Sequence, residues 1–321
     1  MKNHVSRLIP ELNEIYDLAN KHPDIIQVKV LEYIDTKHGK FPIPAITIGP
    51  DDKTLPTLGL FGGVHGVERI GTQVLLSYLY TLNKRLSWDE DFKDQLKSRR
   101  IVCIPIVNPW GLAHFRRANY RGVDLMRNAP VEADKATFLV GGHRISNKLS
   151  WFRGDPDKME IESQTLIDFV KEEMFQSKVS IALDFHSGFG TKDQIWYPYA
   201  KTKNPFPYLK NFNQLKDLFM DTYPHHVYKI EPQAANYTTH GDLWDHALDL
   251  HQEIKVKNTF IPLTLELGSW NWVKKNPIQI FSLFGIHNPV KKHRYSRTMR
   301  RHIYLIDFLL RALKNNKSWD Y

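Results

Sequence analysis

The sequence predicts an α/β protein: a three-layer α/β/α sandwich built on a mixed, mostly parallel central sheet. Two observations carry this expectation. Apolar runs of strand length alternate along the chain with segments whose apolar residues recur at helical spacing. Three of those runs end beside glycines, histidines or carboxylates, as strands do at the ligand-binding edge of an open α/β sheet.

The elements follow in order. A first helix is expected from about Pro10 to Lys21, where Leu8, Leu12, Ile15, Leu18 and Ala19 recur at helical spacing. Ile25 to Tyr33 and Ile43 to Ile48 alternate or run apolar in the manner of strands. Thr57 to Phe61 reads as a buried strand that meets Gly62 and Gly63, residues free to make a tight turn. Gly71 to Leu82 follows as a helix. Arg100 to Val107 is continuous and β-rich, typical of a central strand covered on both faces, with Pro105 confined to its end.

Between Asn108 and Asp157 the chain is rich in Gly, Pro, Asn and Arg and has no period. A loop of that length inside a compact domain is usually functional. Beyond it, Ile161 to Phe175 reads as a helix, Val179 to Phe185 as a strand ending at His186, and Phe260 to Leu267 as another strand. Ile303 to Leu313 closes the chain as a helix. No repeat, low-complexity segment or linker divides it, so residues 1–321 are expected to form a single domain.

Composition narrows the chemistry. A chain of 321 residues that is 42% hydrophobic can bury a substantial core. Its one cysteine, Cys103, excludes an intramolecular disulfide and a cysteine-rich zinc site, so any metal must be held by His and carboxylates. The N-terminal region lacks a signal-peptide apolar core, and no window approaches the roughly 18 to 20 apolar residues of a membrane span. A cytoplasmic protein with no membrane partner is expected.

The net charge of +9 points first to polyanions, yet the cations are scattered. The densest cluster, Lys291, Lys292, Arg294, Arg297, Arg300 and Arg301, precedes Ile303, Leu305, Ile306 and Leu309 and reads as the solvated face of a helix. Nucleic acid is therefore not expected as a partner. A rival, non-enzymatic use of the basic surface would show as salt-sensitive retention on DNA that survives mutation of His65 and His186.

Three strand ends carry candidate chemistry: Phe61-Gly-Gly-Val-His65-Gly-Val-Glu68, Leu183-Asp-Phe-His186-Ser-Gly and Thr264-Leu-Glu266-Leu-Gly268. His65-x-x-Glu68 alone is weak, because 15 His and 35 acidic residues give roughly 1.6 such pairs by chance. The chain's other pair, His246 and Asp249, lies on an apparent helix and reads as surface. The glycine turn before His65 distinguishes the first pair. With His186 it completes a His₂Glu set, which leaves a fourth position open on zinc. Glu266 is then a spare carboxylate able to act as general base toward a metal-activated water. The loop contributes Arg116, Arg117, Arg121 and Arg127, whose planar forks suit a carboxylate or a carbonyl oxygen.

Taken together, His65-x-x-Glu68, Asn108-Pro109-x-Gly111, Arg117-x-Asn119-x-x-Gly122-Val123-Asp124-Leu125-x-Arg127-Asn128, His186-Ser187 and Leu265-Glu266-Leu267-Gly268 resemble the M14 family of zinc carboxypeptidases. The match runs in order over about residues 57 to 270. The resemblance implies one Zn²⁺ per chain held by His65, Glu68 and His186, with Glu266 as general base. It implies that Arg117 polarises the scissile carbonyl, that Asp124 orients His65, and that Arg127, Asn128 and Tyr237 bind a peptide substrate. It also places Trp244 at the floor of the side-chain pocket. Met126 stands where the family has the Asn of an Asn-Arg carboxylate clamp. That departure keeps open an alternative on the same fold, a zinc-dependent amidohydrolase or deacylase of N-acyl amino acids or cell-wall peptides.

Overall fold

The computed structural model describes residues 4–255 and 257–320. Eight strands form one mixed sheet: β1 (Ile26–Thr36), β2 (Gly39–Ile48), β3 (Thr57–Gly62), β4 (Arg100–Ile104), β5 (Val179–Ser187), β6 (Gln194–Tyr197), β7 (Lys229–Pro232) and β8 (Thr259–Leu267). Their order across the sheet is β1-β2-β4-β3-β5-β8-β6-β7. The four middle strands β4, β3, β5 and β8 run parallel. The β1–β2 hairpin joins β4 antiparallel, and β6 joins β8 antiparallel.

Every residue of β3, β4, β5 and β8 is buried, as expected of strands covered on both faces. One layer holds the helices Ile161–Met174 and Leu243–Glu253, which meet Phe61 through Phe169 and Trp244. The other holds Arg69–Arg85, flanked by Glu11–Ala19, Lys292–Arg301 and Ile303–Lys314. Aliphatic and aromatic side chains from both layers interleave with the sheet in one continuous core.

The structure refines the expected elements where local chemistry decides. β4 stops at Ile104 because Pro105 has no N–H to donate. The expected long loop contains a short helix, Pro109–His114, capped by the Asn108 side chain accepting from Gly111 N–H at 2.8 Å, and a 3₁₀ turn at Leu125–Arg127. The basic region is not simply a solvated face. Its helix ends at Arg301, where His302 turns inward and its Nδ1 meets the Tyr228 hydroxyl at 2.9 Å. Arg301 pairs with the buried Asp193 at 2.8 Å, and Arg294 donates to the Trp272 carbonyl.

Candidate active site

The site lies at the carboxyl ends of β3, β5 and β8. After β3 the chain turns through Gly63, whose φ of +65° suits glycine, and reaches His65. Glu68 comes immediately before helix Arg69–Arg85. At Gly66 the backbone passes so close to Gly111 that a Cβ would meet it at 2.0 Å, so the turn requires glycine. His186 is the penultimate residue of β5, and its register partner on β8 is Glu266. All four side chains are at least nine-tenths buried.

His65 Nδ1 lies 2.9 Å from Glu68 Oε1, and His186 Nδ1 lies 3.1 Å from Glu68 Oε2. The other ring nitrogens are held by separate carboxylates: His65 Nε2 by Asp124 at 2.9 Å and His186 Nε2 by Asp184 at 2.7 Å. With each Nε2 donating, each Nδ1 is the donor atom available to a metal. One donor atom from each of His65, Glu68 and His186 lies within 4.8 Å of the others. Two imidazoles and a carboxylate, backed by two further carboxylates, fit a zinc ion.

The electrostatics match this layout. Burial pushes the Glu68 carboxyl up, but His65 and His186 outweigh it and hold it well below the usual carboxylate range. Burial likewise opposes a charge on Asp124, yet Arg117 and His65 keep it ionised. His186 is also buried, but Asp184 and Glu68 raise it well above an ordinary histidine. Glu266 behaves differently. Burial, followed by the nearby Glu68 charge, raises it to about 8 in the metal-free protein. Its Oε1 accepts the Phe189 N–H at 2.8 Å.

Arg117 donates through Nε to Asp124 at 2.9 Å and through a terminal nitrogen to Glu68 at 3.2 Å. Burial disfavours its charge, but those two carboxylates keep it firmly protonated. Arg127 is held by the carbonyls of Val140 and Met126, with its guanidinium over the Tyr237 ring at 5.9 Å. His65, Glu68, His186, Glu266, Arg117, Arg127 and Tyr237 all line one cavity of about 370 Å³. Trp196, Phe189, Gln233 and Thr264 line it as well.

Two expected roles fall elsewhere. The Asn128 amide donates to the Arg153 carbonyl at 2.9 Å and accepts the Glu160 N–H at 2.6 Å, so it ties down the following loop and does not line the cavity. Trp244 is not the pocket floor. It packs on Phe61 and donates at 2.9 Å to Asp184, the carboxylate that holds His186 Nε2. Sequence reasoning also missed Asp184, although Asp-x-His in a strand puts both side chains on one face. His287, a further cavity residue, had no signal in its own segment. Its Nδ1 donates to the Leu283 carbonyl at 2.9 Å.

A buried His₂Glu donor set beside a spare glutamate, at strand ends of an α/β sandwich, is the pattern of a zinc hydrolase centre. Comparison with known proteins agrees. The family model described as zinc carboxypeptidase matches residues 12–276, and the chain belongs to that family. Carboxypeptidase E of Caenorhabditis elegans is 30% identical over 128 residues, 35% of this chain and 27% of that protein, so the match spans about a quarter of the relative. The carboxypeptidase A of Helicoverpa armigera superposes with a TM-score of 0.69 at 17% identity, covering 97% of this chain and 73% of its own. Bovine thrombin-activatable fibrinolysis inhibitor, solved with a tick carboxypeptidase inhibitor, gives 0.68 at 16% identity, covering 96% and 97%. These likenesses establish the fold.

Proposed function

We propose that the protein is a zinc-dependent metallocarboxypeptidase that hydrolyses the C-terminal peptide bond of a peptide. The observation that carries this reading is the placement of the His65, Glu68 and His186 donor set, Glu266, Arg117 and Arg127 around one cavity. Bound zinc would supply Lewis acidity, making a water more acidic and polarising the scissile carbonyl.

The protein's own residues account for the rest. Arg127, in the cavity lining, binds the terminal carboxylate, with Tyr237 packed against its guanidinium. Arg117 is held charged at the cavity edge and stabilises the negative charge that develops on the carbonyl oxygen, a role that contributes a few kcal/mol to catalysis. Glu266 takes a proton from the attacking water and returns it to the leaving nitrogen. Its raised affinity for protons without metal falls when a cation sits beside it, which leaves the carboxylate a base near neutrality. Asp124 and Asp184 orient the two histidines.

Metal analysis of purified protein, with turnover of a blocked peptide by Glu266→Gln, tests this reading. Retained zinc with turnover reduced at least about a hundredfold supports it. Loss of zinc in that variant would make Glu266 a ligand and overturn the division of roles. Met126, apolar and lining the cavity beside Arg127, favours a second reading in which the substrate is an N-acyl amino acid or a cell-wall peptide. Parallel assays of free and C-terminally amidated peptides against N-acyl amino acids discriminate the two.

A further inference from the structure

The catalytic cavity does not end at Arg117. A second cavity of about 300 Å³ shares Arg117, Ser150, Trp151 and Leu283 with it. A third, open basin of about 1150 Å³ shares Tyr120, Gly122, Asn147 and Lys148 with the second. The three lie side by side, each sharing wall residues with the next. Arg127, Tyr237, Trp196 and Gln233 line only the catalytic cavity, and the second and third cavities offer walls on the Arg117 side along which a peptide with its terminus there can extend.

The charge of this extension is one-sided. Lys37, Arg116, Arg121, Arg144 and Lys148 line it. Among the described residues, Lys37, Arg116 and Lys148 meet no carboxylate within ion-pair distance and are not otherwise partnered through a side-chain bond. The acids there are mostly committed. Asp124 is engaged by Arg117 and His65, and the buried Glu160 accepts from Asn119 at 2.9 Å and lies 3.6 Å from Arg121. Asp155 is the one exposed carboxylate among the lining residues. Unpaired cations along a groove concentrate positive potential and draw in anionic ligands.

We propose that this extension binds an acidic segment on the amino side of the scissile bond, so that the substrates are peptides with several Asp or Glu residues upstream of the C-terminal residue. The inference rests on the carboxypeptidase reading for its direction. Each exposed ion pair is weak, but several acting together give a preference of about tenfold at low salt.

The test uses zinc-loaded Glu266→Gln protein and fluorescein-labelled octapeptides with either Glu or Gln at the upstream positions, compared by fluorescence anisotropy. The Glu peptide should bind about tenfold more tightly in dilute buffer, and the difference should collapse in concentrated salt. Arg116→Glu with Lys148→Glu should abolish it. Lys148→Glu alone, at an exposed position, should reduce it. In the Glu266-containing background, hydrolysis of a blocked dipeptide should be unchanged by these variants, which shows that the catalytic end is intact.

Equal binding of the two peptides, or a preference that survives the double variant, overturns the proposal. An oligothymidylate of matching charge that binds as tightly as the Glu peptide overturns the assignment to peptide. Charge-selective binding with no hydrolysis of any peptide supports the groove and overturns the carboxypeptidase reading instead.

Discussion

At the residue scale, the two histidines show how much of a site lies behind its donor atoms. Asp184 and Asp124 fix which nitrogen of each ring is free, so they set donor geometry without entering the cavity. Asp184→Asn keeps the shape but can present an amide N–H to His186 Nε2, and it should weaken zinc binding about 10- to 100-fold by chelator competition. A variant that holds zinc as tightly as the parent would remove Asp184 from the site. His186 and Glu266 were legible because each stands at the end of a strand-like run, and His65 and Glu68 because they follow such a run across a glycine turn, three residues apart. Asn128 was misread because its neighbour Arg127 does reach the cavity. On the tight 3₁₀ turn, adjacent side chains diverge, and Asn128 instead joins the turn to the Glu160 backbone.

At the scale of elements, the Asn288 amide fastens the segment 283–288 to the metal-side loop. Asn288 accepts the Ile70 N–H at 2.9 Å and donates to the Val67 carbonyl at 2.8 Å, bridging both sides of Glu68. Asn288→Ala would leave buried backbone groups unpaired and should cost about 2 kcal/mol by urea denaturation, with weaker zinc binding alongside. Gly71 is the comparable contact between helix and sheet. A Cβ there would meet the Phe185 carbonyl oxygen at 2.5 Å, next to His186. Gly71→Ala should therefore cost about 2 kcal/mol even though alanine favours helix, and a stabilised variant would show that the helix can shift freely. The buried central strands were legible from their apolar runs. β6 and β7 were not: each has only four residues, and β7 is partly exposed, so neither leaves a periodic signal.

For the molecule as a whole, pH is one lever on stability and zinc at the proposed site would be another. Burial raises the Glu162 carboxyl to about 7, and one of its oxygens has no partner. Its folded value exceeds the ordinary value of 4.5, so the folded state binds the extra proton between them. Stability is then fullest below about 4.5 and falls as pH rises toward about 7 and beyond, by about 3 kcal/mol from this group. Glu162→Gln should remove that part of the pH dependence in denaturation measured at pH 5 and pH 8; an unchanged slope would refute the assignment. Zinc held at the proposed site would act in the opposite sense, adding about 4 kcal/mol at a thousandfold excess over its dissociation constant, which thermal melts with and without chelator would register. The α/β class and the three strand ends that carry the site were readable from sequence. The groove beyond Arg117 was not, since residues from Lys37 to Leu283 meet there only through the fold.

The pairing of His186 with Glu266 across β5 and β8, with β3 as the next strand, makes the sheet a ruler for the chemistry. Rulers are graduated. Moving a reactive group sideways means one strand, about 4.8 Å, and moving it lengthwise on the same face means two residues, about 6.6 Å. Within regular strand pairing the backbone supplies no intermediate step, whereas removing one methylene, as in Glu266→Asp, shifts the carboxyl by only about 1.5 Å. For the two groups the sheet itself carries, His186 and Glu266, fine adjustment within regular pairing therefore falls to the side chain.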